Sequence, residues 1–345
     1  MSSAPLIIRA DANVAIGTGH VMRCLALAQA WQDAGGTAAF AATEIPSGIE
    51  TRLSAESFEI LRLPSRAGSR EDASQTAALA HERRSGWIVV DGYQFGSDYQ
   101  RALKAAGFKV LFLDDYGHAP HYCADIVLNQ NLCADERKYR DRESNTQLLL
   151  GARYCLLRRE FNAWREWQRE FPSIAGKILV TVGGSDPENM TLLIVRALRR
   201  AAVPDLEAVI VVGGGNPHLA AVQRAVCDSG LKLRVVTNVA NMPELMAWAD
   251  LAVSGAGSTC WEMCWLGLPA LLICVAPNQE SSAQCLAEKG AALLLNHGSK
   301  VTTSAIVTAV EELAHTRRLR EQIYRSSREL VDCHGASRVA AMMKN

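Results

Sequence analysis

The sequence predicts an α/β protein with two doubly wound, Rossmann-type domains. The chain has 345 residues, which is enough for two domains of roughly 150 residues each. Short apolar runs alternate with longer helix-like stretches, as in parallel sheets that are covered on both faces. This alternation pauses and then restarts near Lys177, which indicates a second domain.

Twelve apolar runs predict the strands. In the first half they are LIIRA, TAAFAAT, FEILRL, WIVVDG, KVLFLDD and ADIVLN. In the second half they are KILVTVGGSD, EAVIVVGGG, LRVVTN, ADLAVSGAGS, PALLICVAP and AALLLN. Two such sheets are expected to face a central cleft, where the carboxyl ends of the strands bind ligands.

The segment between the two sets of strands predicts the domain boundary. The apolar residues of FNAWREWQREF recur at helical spacing, so we expect an amphipathic helix at the junction rather than a sugar-stacking platform. The following Phe-Pro pair ends this pattern and divides the chain into domains 1–172 and 173–345. The stretch from Ser304 to Asn345 predicts two or three helices, and the last is expected to pack back on the first domain.

The composition argues against several classes of protein. Lysine plus arginine equals aspartate plus glutamate at 36 each, so nothing favours nucleic acid or an anionic membrane as partner. The ten cysteines lie mostly in apolar runs without a C-x-x-C pair, which is typical of a reducing compartment. The chain has no secretory signal pattern and no uncharged apolar run of about 18 residues. We therefore expect a cytoplasmic protein without a membrane span.

The first motif, IIRADANVAIGTGHVMRC, resembles a dinucleotide-binding loop but lacks two of its features. Met22 stands where the third glycine would fall, with Arg23 next to it, and the second strand ends in Thr43 instead of an acidic residue. Gly17 and Gly19 instead clear space around His20 at a helix start, which indicates a catalytic base; a structural histidine is the alternative. Arg23 either orients the substrate or forms an ion pair at the surface or between domains.

Carboxylates follow the fourth and fifth predicted strands. Asp91 and Tyr93 come after WIVV, and Asp114 and Asp115 come after VLFL. Each aspartate either caps a turn or acts in the site, where it orients His20 or binds sugar hydroxyls. Tyr93 is expected to stack on a sugar or to form a hydrogen bond with it. Adjacent aspartates at a strand end point in opposite directions, so we expect no metal site there.

Two glycine turns in the second half predict nucleotide binding. In VTVGGSDPENMT a strand runs through glycines into a helix start, which suits a phosphate. The alternative is an ordinary turn capped by Ser185 or Asp186. In AVSGAGSTCWE the turn is richer in small residues, and Glu262 is placed to bind ribose hydroxyls or to complete a capping box with Thr259. The residues predicted to bind the nucleotide are Gly183, Gly184, Ser185, Gly257, Ser258, Thr259 and Glu262.

A third strand end in the second half, APNQ, is expected to deliver Asn278 and Gln279 to the same site. The residues predicted to bind the substrate are therefore Gly17, Gly19, Arg23, Asp91, Tyr93, Asn278 and Gln279.

Together these motifs resemble a known family. The segments RADANVAIGTGHVMRCLALA, VVDGY, GARYCLLRREF, VTVGGSDPENMT and GSTCWEMCWLGLPALLICVAPNQ are similar to those of the nucleotide-sugar hydrolases of pseudaminic acid biosynthesis, the PseG family. That family is related to the spore-coat polysaccharide proteins SpsG and, more remotely, to the GT-B glycosyltransferase MurG. The most specific part is I-G-x-G-H-x-M-R combined with Glu262 and the Asn278-Gln279 pair.

The resemblance implies a GT-B-like enzyme that hydrolyses UDP-2,4-diacetamido-2,4,6-trideoxy-β-L-altropyranose and releases UDP and the free sugar. It further implies that His20 is the general base, that Glu262 binds the nucleotide, and that Asn278 lies near the phosphates or sugar. No cofactor and no metal are implied. The alternatives are a GT-B glycosyltransferase that uses a UDP-sugar donor and a non-catalytic UDP-sugar-binding protein.

Overall fold

The computed structural model describes residues 5–184, 186–214, 216–295 and 301–344. Within these residues the chain divides into two compact units. Unit 1 contains the described parts of 1–13, 18–159 and 333–345, and unit 2 contains those of 14–17 and 160–332. Each unit holds one parallel sheet flanked by helices, which confirms the predicted fold class of two doubly wound units.

Unit 1 contains the first seven strands. They are β1 (Leu6–Ala10), β2 (Ala38–Ala42), β3 (Glu59–Arg62), β4 (Trp87–Asp91), β5 (Lys109–Leu113), β6 (Ile126–Asn129) and β7 (Gln147–Leu150). The helices that connect them are α1 (Gly19–Asp33), α2 (Ser47–Ala55), α3 (Arg70–Glu82) and α4 (Ser97–Ala105).

The strand order in unit 1 determines where a ligand site forms. In the described part of the sheet the order is β3-β2-β1-β4-β5-β6-β7, and the neighbouring strands run parallel. The order therefore changes direction between β1 and β4. Open parallel sheets bind ligands beyond the carboxyl ends of the strands at such a switch point. The residues that follow β1 and β4 are thus the place to expect chemistry.

Unit 2 repeats this plan. Its strands are β8 (Lys177–Thr181), β9 (Glu207–Val212), β10 (Lys232–Thr237), β11 (Leu251–Gly255), β12 (Ala270–Ile273) and β13 (Leu293–Leu294). Its helices are α5 (Met190–Leu198), α6 (Leu219–Cys227), α7 (Met242–Trp248), α8 (Thr259–Leu266), α9 (Glu280–Glu288), α10 (Thr303–His315) and α11 (Arg317–Arg328). The order β10-β9-β8-β11-β12-β13 places the switch point of the described sheet between β8 and β11.

The last helix, α12 (Gly335–Lys344), belongs to unit 1. Its apolar face, which includes Val339 and Met343, is buried in the same core as Leu25 of α1. A Cβ atom added to Gly335 would lie 2.0 Å from the carbonyl oxygen of Cys155, so the start of α12 touches the backbone of unit 1 directly. Among the described helices, none has the length and apolar character that crossing a bilayer requires.

The predicted strands are all present, and β7 is an addition. Its sequence, QLLL, is short, and no alternation marks it as a strand. It forms by pairing with β6 at the edge of the sheet, where Ile126 lies opposite Gln147 and Asn129 opposite Leu150. The pairing partner, rather than the local pattern, makes this segment a strand.

The amphipathic helix predicted for FNAWREWQREF is wrong. The structure has a 3₁₀ helix at Arg159–Trp164, and irregular chain follows it. The indole N–H of Trp265 donates to the carbonyl oxygen of Phe161 at 3.0 Å, which takes an acceptor that an α-helix would use internally. The guanidinium of Arg169 turns inward and donates to three backbone carbonyls near α7 and α8. Contacts distant in sequence override the helical periodicity.

The same contacts move the division between the units. It falls between Arg159 and Glu160, ahead of the predicted boundary between residues 172 and 173. The cause is that the segment after residue 160 bonds to α7 and α8 and therefore belongs with unit 2.

A buried ionic network underlies the switch point of unit 1. Arg9 in β1 is fully buried and donates to both carboxylate oxygens of Asp72 in α3, at 2.9 and 2.8 Å. Its other terminal nitrogen lies 2.8 Å from Asp11. Asp11 in turn accepts the backbone N–H of Thr43 at 2.7 Å and the side-chain amide of Gln94 at 3.1 Å. The loops that follow β1, β2 and β4 are thereby tied together.

The contact of Gly335 with the backbone predicts a stability effect. Gly335→Ala should lower the free energy of unfolding by about 1–3 kcal/mol, because the added methyl group collides with a carbonyl that cannot move freely. Chemical denaturation would measure it. Ser337→Ala on the exposed face of α12 is the matched control and should change stability little. Equal effects of the two substitutions would contradict the close packing.

Candidate active site

Three polar side chains converge beyond the carboxyl ends of β1, β4 and β5. Gly17 adopts a φ of +74°, a conformation that glycine favours, and Gly19 is the first residue of α1. His20 is therefore in the first turn of α1 and is largely buried. Asp91 is the last residue of β4 and pairs in register with Ala10 at the end of β1. Asp115 comes just after β5, the other neighbour of β4.

His20 and Asp91 form a hydrogen-bonded dyad. Nδ1 of His20 lies 2.6 Å from Oδ1 of Asp91, and the Asp91 side chain has no exposed surface. An ionised carboxylate accepts and cannot donate, so Nδ1 carries the hydrogen of the neutral ring. Nε2 is then left with its lone pair. The dyad is thus arranged to present a proton acceptor.

Arg23 lies one turn after His20 and bonds to two aspartates. Its Nε donates to Oδ2 of Asp91 and one terminal nitrogen donates to Oδ1, both at 2.7 Å. The other terminal nitrogen donates to Asp115, also at 2.7 Å. With these bonds and 7% exposure, Arg23 is a buried ion-pair residue within unit 1. The ion pair that was expected at the surface or between domains is instead buried inside unit 1, and contact of Arg23 with a substrate stays a prediction.

Asp115 connects Arg23 with an aromatic group. It accepts the Tyr93 hydroxyl at 2.7 Å and the side-chain amide of Asn131 at 3.2 Å. The Tyr93 ring meets the His20 ring edge-on, with centroids 4.9 Å apart. The exposed ring of Tyr116 lies 5.2 Å from that of Tyr93. An aromatic surface therefore borders the dyad.

The charges of this cluster stabilise one another. Burial by itself would raise the pKa of Asp91, but Arg23 first and then His20 lower it well below the usual value. Burial opposes ionisation of Asp115 in the same way, and Arg23 and then His20 lower its pKa. Burial first, and then the Asp91 charge, raise the pKa of the neighbouring Cys24 thiol. Both aspartates are therefore anions at neutral pH, and Cys24 is a neutral thiol.

The sequence identified most residues of this cluster but not which of them contact one another. Asp91 was expected to orient His20 or to bind sugar hydroxyls, and in the structure its side chain is completely buried and contacts the His20 ring. Asn131 was not anticipated, although it follows β6 at the same edge of the sheet. A position just beyond a strand end was the signal that could have found it.

Asp114 has a different function from its neighbour. It accepts the backbone N–H groups of Tyr116 at 2.8 Å and Gly117 at 2.9 Å, and it also accepts the hydroxyl of Tyr122. Nδ1 of His118 lies 3.2 Å from it. Asp114 therefore caps a turn. It shares none of the partners described above for Asp115, in agreement with the expectation that the two side chains point apart.

In unit 2, the turn after β8 is capped by its own chain. Gly183 adopts a φ of +108° and is exposed. Asp186 accepts the backbone N–H groups of Met190 at 2.7 Å and Thr191 at 2.9 Å, so the first turn of α5 already holds a carboxylate. This is the capping alternative left open by the sequence. Gly184 is partly buried, and Ser185 lies outside the described residues.

The turn after β11 differs from the turn after β8 in how the following helix is capped. Ser258 is the N-cap of α8, and within the described residues its side chain makes no capping hydrogen bond. Thr259 is the first helical residue, so Glu262 lies one position too late for a capping box with Ser258. A Cβ atom on Gly255 would lie 2.8 Å from the carbonyl oxygen of Val182, so this turn and the turn after β8 approach each other at the switch point.

The segment after β12 reaches the same turn. Asn278 and Gln279 lie in a 3₁₀ helix, Pro277–Gln279, with Asn278 exposed. Oε1 of Gln279 accepts the backbone N–H of Val275 at 3.0 Å. Its Nε2 would be 3.7 Å from a Cβ atom added to Gly257. Gln279 and Gly257 therefore lie next to each other at one edge of unit 2.

Among the described residues, one group of side chains has ligand atoms close enough together for a metal ion: His121, Cys123 and Glu143. Two carboxylates already contact the His121 ring, since Nδ1 lies 2.6 Å from Asp141 and Nε2 lies 3.2 Å from Glu143. Neither His20 nor Asp91 belongs to this group.

Comparison with known proteins agrees with the two-unit architecture. Residues 177–333 match the glycosyltransferase family 28 C-terminal domain. The crystal structure of MurG from Acinetobacter baumannii superposes with a TM-score of 0.65 and 18% identity, and the match covers 99% of both chains. The chain has the GT-B fold. The family 28 match falls on unit 2, which contains the turns after β8 and β11.

Two sequence relatives bear on the resemblance stated above. The UDP-2,4-diacetamido-2,4,6-trideoxy-β-L-altropyranose hydrolase of Campylobacter jejuni is 26% identical over 83% of this chain and 97% of its own length. The spore coat polysaccharide biosynthesis protein SpsG of Bacillus subtilis is 29% identical over 68% of this chain and 69% of its own length. Both comparisons confirm the resemblance to the altropyranose hydrolases and their relatives.

The capping role of Asp114 predicts a pH-dependent stability. Burial by itself raises the pKa of Asp114, but His118, then Tyr122 and backbone N–H groups lower it below the usual value. A carboxylate with a lowered pKa contributes stability above its unfolded pKa of about 4 and loses it as the pH falls. Asp114→Asn should therefore lower the free energy of unfolding by about 1–3 kcal/mol near pH 5, and by less near pH 3.

Urea denaturation at the two pH values would measure this difference. The pH 5 condition keeps His118 protonated, since contact with Asp114 raises its pKa although burial lowers it. Asp98→Asn is the control, because the Asp98 side chain is 81% exposed and its ion pair is at the surface. A difference that stays constant from pH 5 to pH 3 would argue against the ionised cap.

Proposed function

We propose that this protein hydrolyses a UDP-linked 2,4-diacetamido-2,4,6-trideoxy sugar at the anomeric carbon and releases UDP and the free sugar for pseudaminic acid biosynthesis. The observation that carries the proposal is the His20–Asp91 dyad, in which Nδ1 lies 2.6 Å from Asp91, so that Nε2 of a neutral ring is the proton acceptor. The similarity to the Campylobacter jejuni hydrolase, which extends over 97% of that enzyme, supports the choice of substrate.

The proposed reaction needs one proton acceptor and one leaving group. Nε2 of His20 accepts a proton from water while the water oxygen bonds to the anomeric carbon. The bond between that carbon and the phosphate oxygen breaks, and UDP leaves with inversion at the anomeric carbon. Asp91 keeps the ring in the correct tautomer and stabilises the imidazolium that forms, the role that a carboxylate has in other histidine-dependent hydrolases. General-base assistance of this kind contributes about 10² to 10⁴ in rate.

For the nucleotide we propose the turn between β11 and α8. Gly257, Ser258 and Thr259 would place backbone N–H groups and the positive end of α8 against the diphosphate. Glu262, in the first turn, would accept the ribose hydroxyls. Gly183 and Gly184 would let the backbone come close to the diphosphate. The start of α5 would bind the diphosphate less well, since Asp186 already accepts its N–H groups. Asn278 and Gln279 would contact the phosphates or the sugar.

A glycosyltransferase is the second candidate, and the family 28 match of residues 177–333 favours it. In that reaction His20 would deprotonate an acceptor hydroxyl instead of water. Incubation of the pure protein with UDP-2,4-diacetamido-2,4,6-trideoxy-β-L-altropyranose alone separates the two, with other UDP-sugars as a specificity panel. We expect UDP and free sugar in equal amounts without an acceptor. Turnover only after an acceptor is added would indicate a transferase, and binding without turnover would indicate a binding protein.

The base assignment predicts the effect of replacing His20. His20→Asn should lower kcat by about 10² to 10⁴, because water then loses its proton acceptor. The affinity for UDP, measured by calorimetry, should be unchanged. His81→Asn, at an exposed histidine of α3, is the matched control and should keep full activity. If His20→Asn retained most of its UDP release, another group would have to be the base.

The orientation assigned to Asp91 predicts a second effect. Asp91→Asn can present an amide N–H to Nδ1, which moves the ring hydrogen to Nε2 and removes the acceptor. We expect kcat to fall by up to about 10⁴, as in serine hydrolases that lose the corresponding charge. Nitrogen NMR of the His20 ring would report the tautomer directly. An unchanged tautomer together with an unchanged rate would show that Asp91 does not orient the base.

A further inference from the structure

The cluster around His20 has more negative than positive charge. Arg23 provides one guanidinium, and it is bonded to two carboxylates, those of Asp91 and Asp115, at 2.7 Å in each case. The exposed fractions of these three side chains are 7%, 0% and 11%. While the His20 ring is neutral, this cluster therefore retains one uncompensated negative charge.

Uptake of a proton by His20 removes this imbalance. The imidazolium adds one positive charge, so two cations then face two anions inside unit 1. A buried charge without a partner is unfavourable, and water cannot screen a site that is this poorly exposed. The second carboxylate therefore favours the protonated ring. If Asp115 were absent, Arg23 would already balance Asp91, and this preference would be weaker.

We propose that Asp115 is a positioning residue that strengthens His20 as a base through the arginine it shares with Asp91. This inference adds a residue to the hydrolysis mechanism proposed above, and it rests on that proposal for the reaction that His20 assists. Asp115 bonds to Arg23 and Tyr93, so it affects His20 through its charge and through these two side chains. Sequence position alone left open whether Asp115 caps a turn or acts in the site.

Other titratable groups around the His20 ring also affect the net charge of this site. In the described part of unit 1, the titratable and charged groups near His20 are Arg23 and Cys24 on α1, Asp91 and Tyr93 at the end of β4, and Asp115 after β5. The rings of Tyr116 and His118 contact the Tyr93 ring. Asp114 lies next to His118. His118 is paired with Asp114, so that ion pair adds no net charge when both are ionised. The Arg9 network at the same switch point also has one more carboxylate than guanidinium, in Asp11 and Asp72, but Asp115 is not part of it, so a change at Asp115 alters the charge of the Arg23 cluster alone.

Asp115→Asn tests the proposal because it removes the charge and keeps the size of the side chain. The acid limb of the pH profile of kcat/KM should move to lower pH by about one unit, because the ring holds its proton less strongly. The plateau above that limb should fall by less than about tenfold, since a base weaker by one unit removes the proton of water less effectively and the rate follows basicity with a Brønsted slope below one. Proton–carbon NMR of the His20 ring should show the same shift in its titration midpoint.

Two further variants make the test specific. Asp115→Glu restores the charge and should return the midpoint toward that of the wild type. Asp114→Asn removes the adjacent carboxylate, which does not contact Arg23, and should leave the midpoint in place at a temperature where the protein is folded. A fallen plateau with an unmoved midpoint in Asp115→Asn would overturn the proposal, because it would indicate structural damage alone.

The NMR titration also separates this inference from the proposed function. It needs no substrate, so the midpoint shift can be measured even if the protein does not hydrolyse UDP-sugars. A shift without hydrolase activity would keep the role of Asp115 and reject the reaction. Hydrolase activity without a shift would keep the reaction and reject the role of Asp115.

Discussion

The bond between Asp91 and the first turn of α1 is the interaction on which the unit 1 site depends. A carboxylate without solvent exposure at a strand end requires partners, and in the described part of the chain α1 supplies the side chains that bond to it: the His20 ring, the Arg23 guanidinium and the Cys24 thiol. The need to satisfy this one anion therefore sets the distance between α1 and β4. The orientation of the His20 ring follows from it.

The nucleotide site proposed for unit 2 depends on a different constraint, the close approach of backbone segments. A Cβ atom on Gly213 would lie 2.0 Å from the carbonyl oxygen of Gly184, and Gly255 is similarly close to Val182. Only glycine fits such contacts, so the turns that follow β8, β9 and β11 can gather at one edge of the sheet. Asp186 then closes the start of α5, which leaves the start of α8 as the better place for an anion.

The fold and the candidate site were predictable to different degrees. The strands were predictable because buried parallel strands are continuous apolar runs, and His20, Asp91 and Asp115 were visible as polar residues just beyond such runs. The two segments whose structure was not predicted correctly have a common cause. The segment β7 and the 3₁₀ turn at Arg159–Trp164 take their conformations from partners distant in sequence, β6 and Trp265. A local pattern contains no information about such partners.

The sequence by itself determined the class of architecture and the residue types available at each strand end, because periodicity and glycine placement are local properties. It also marked IGTGHVMR as a place for a base, since a histidine followed two glycines at a helix start. Only the tertiary structure decided which side chains share a proton or a charge. Asp91 follows His20 by 71 residues and Asp115 follows Arg23 by 92, and the strand order of the sheet brings these pairs within hydrogen-bond distance.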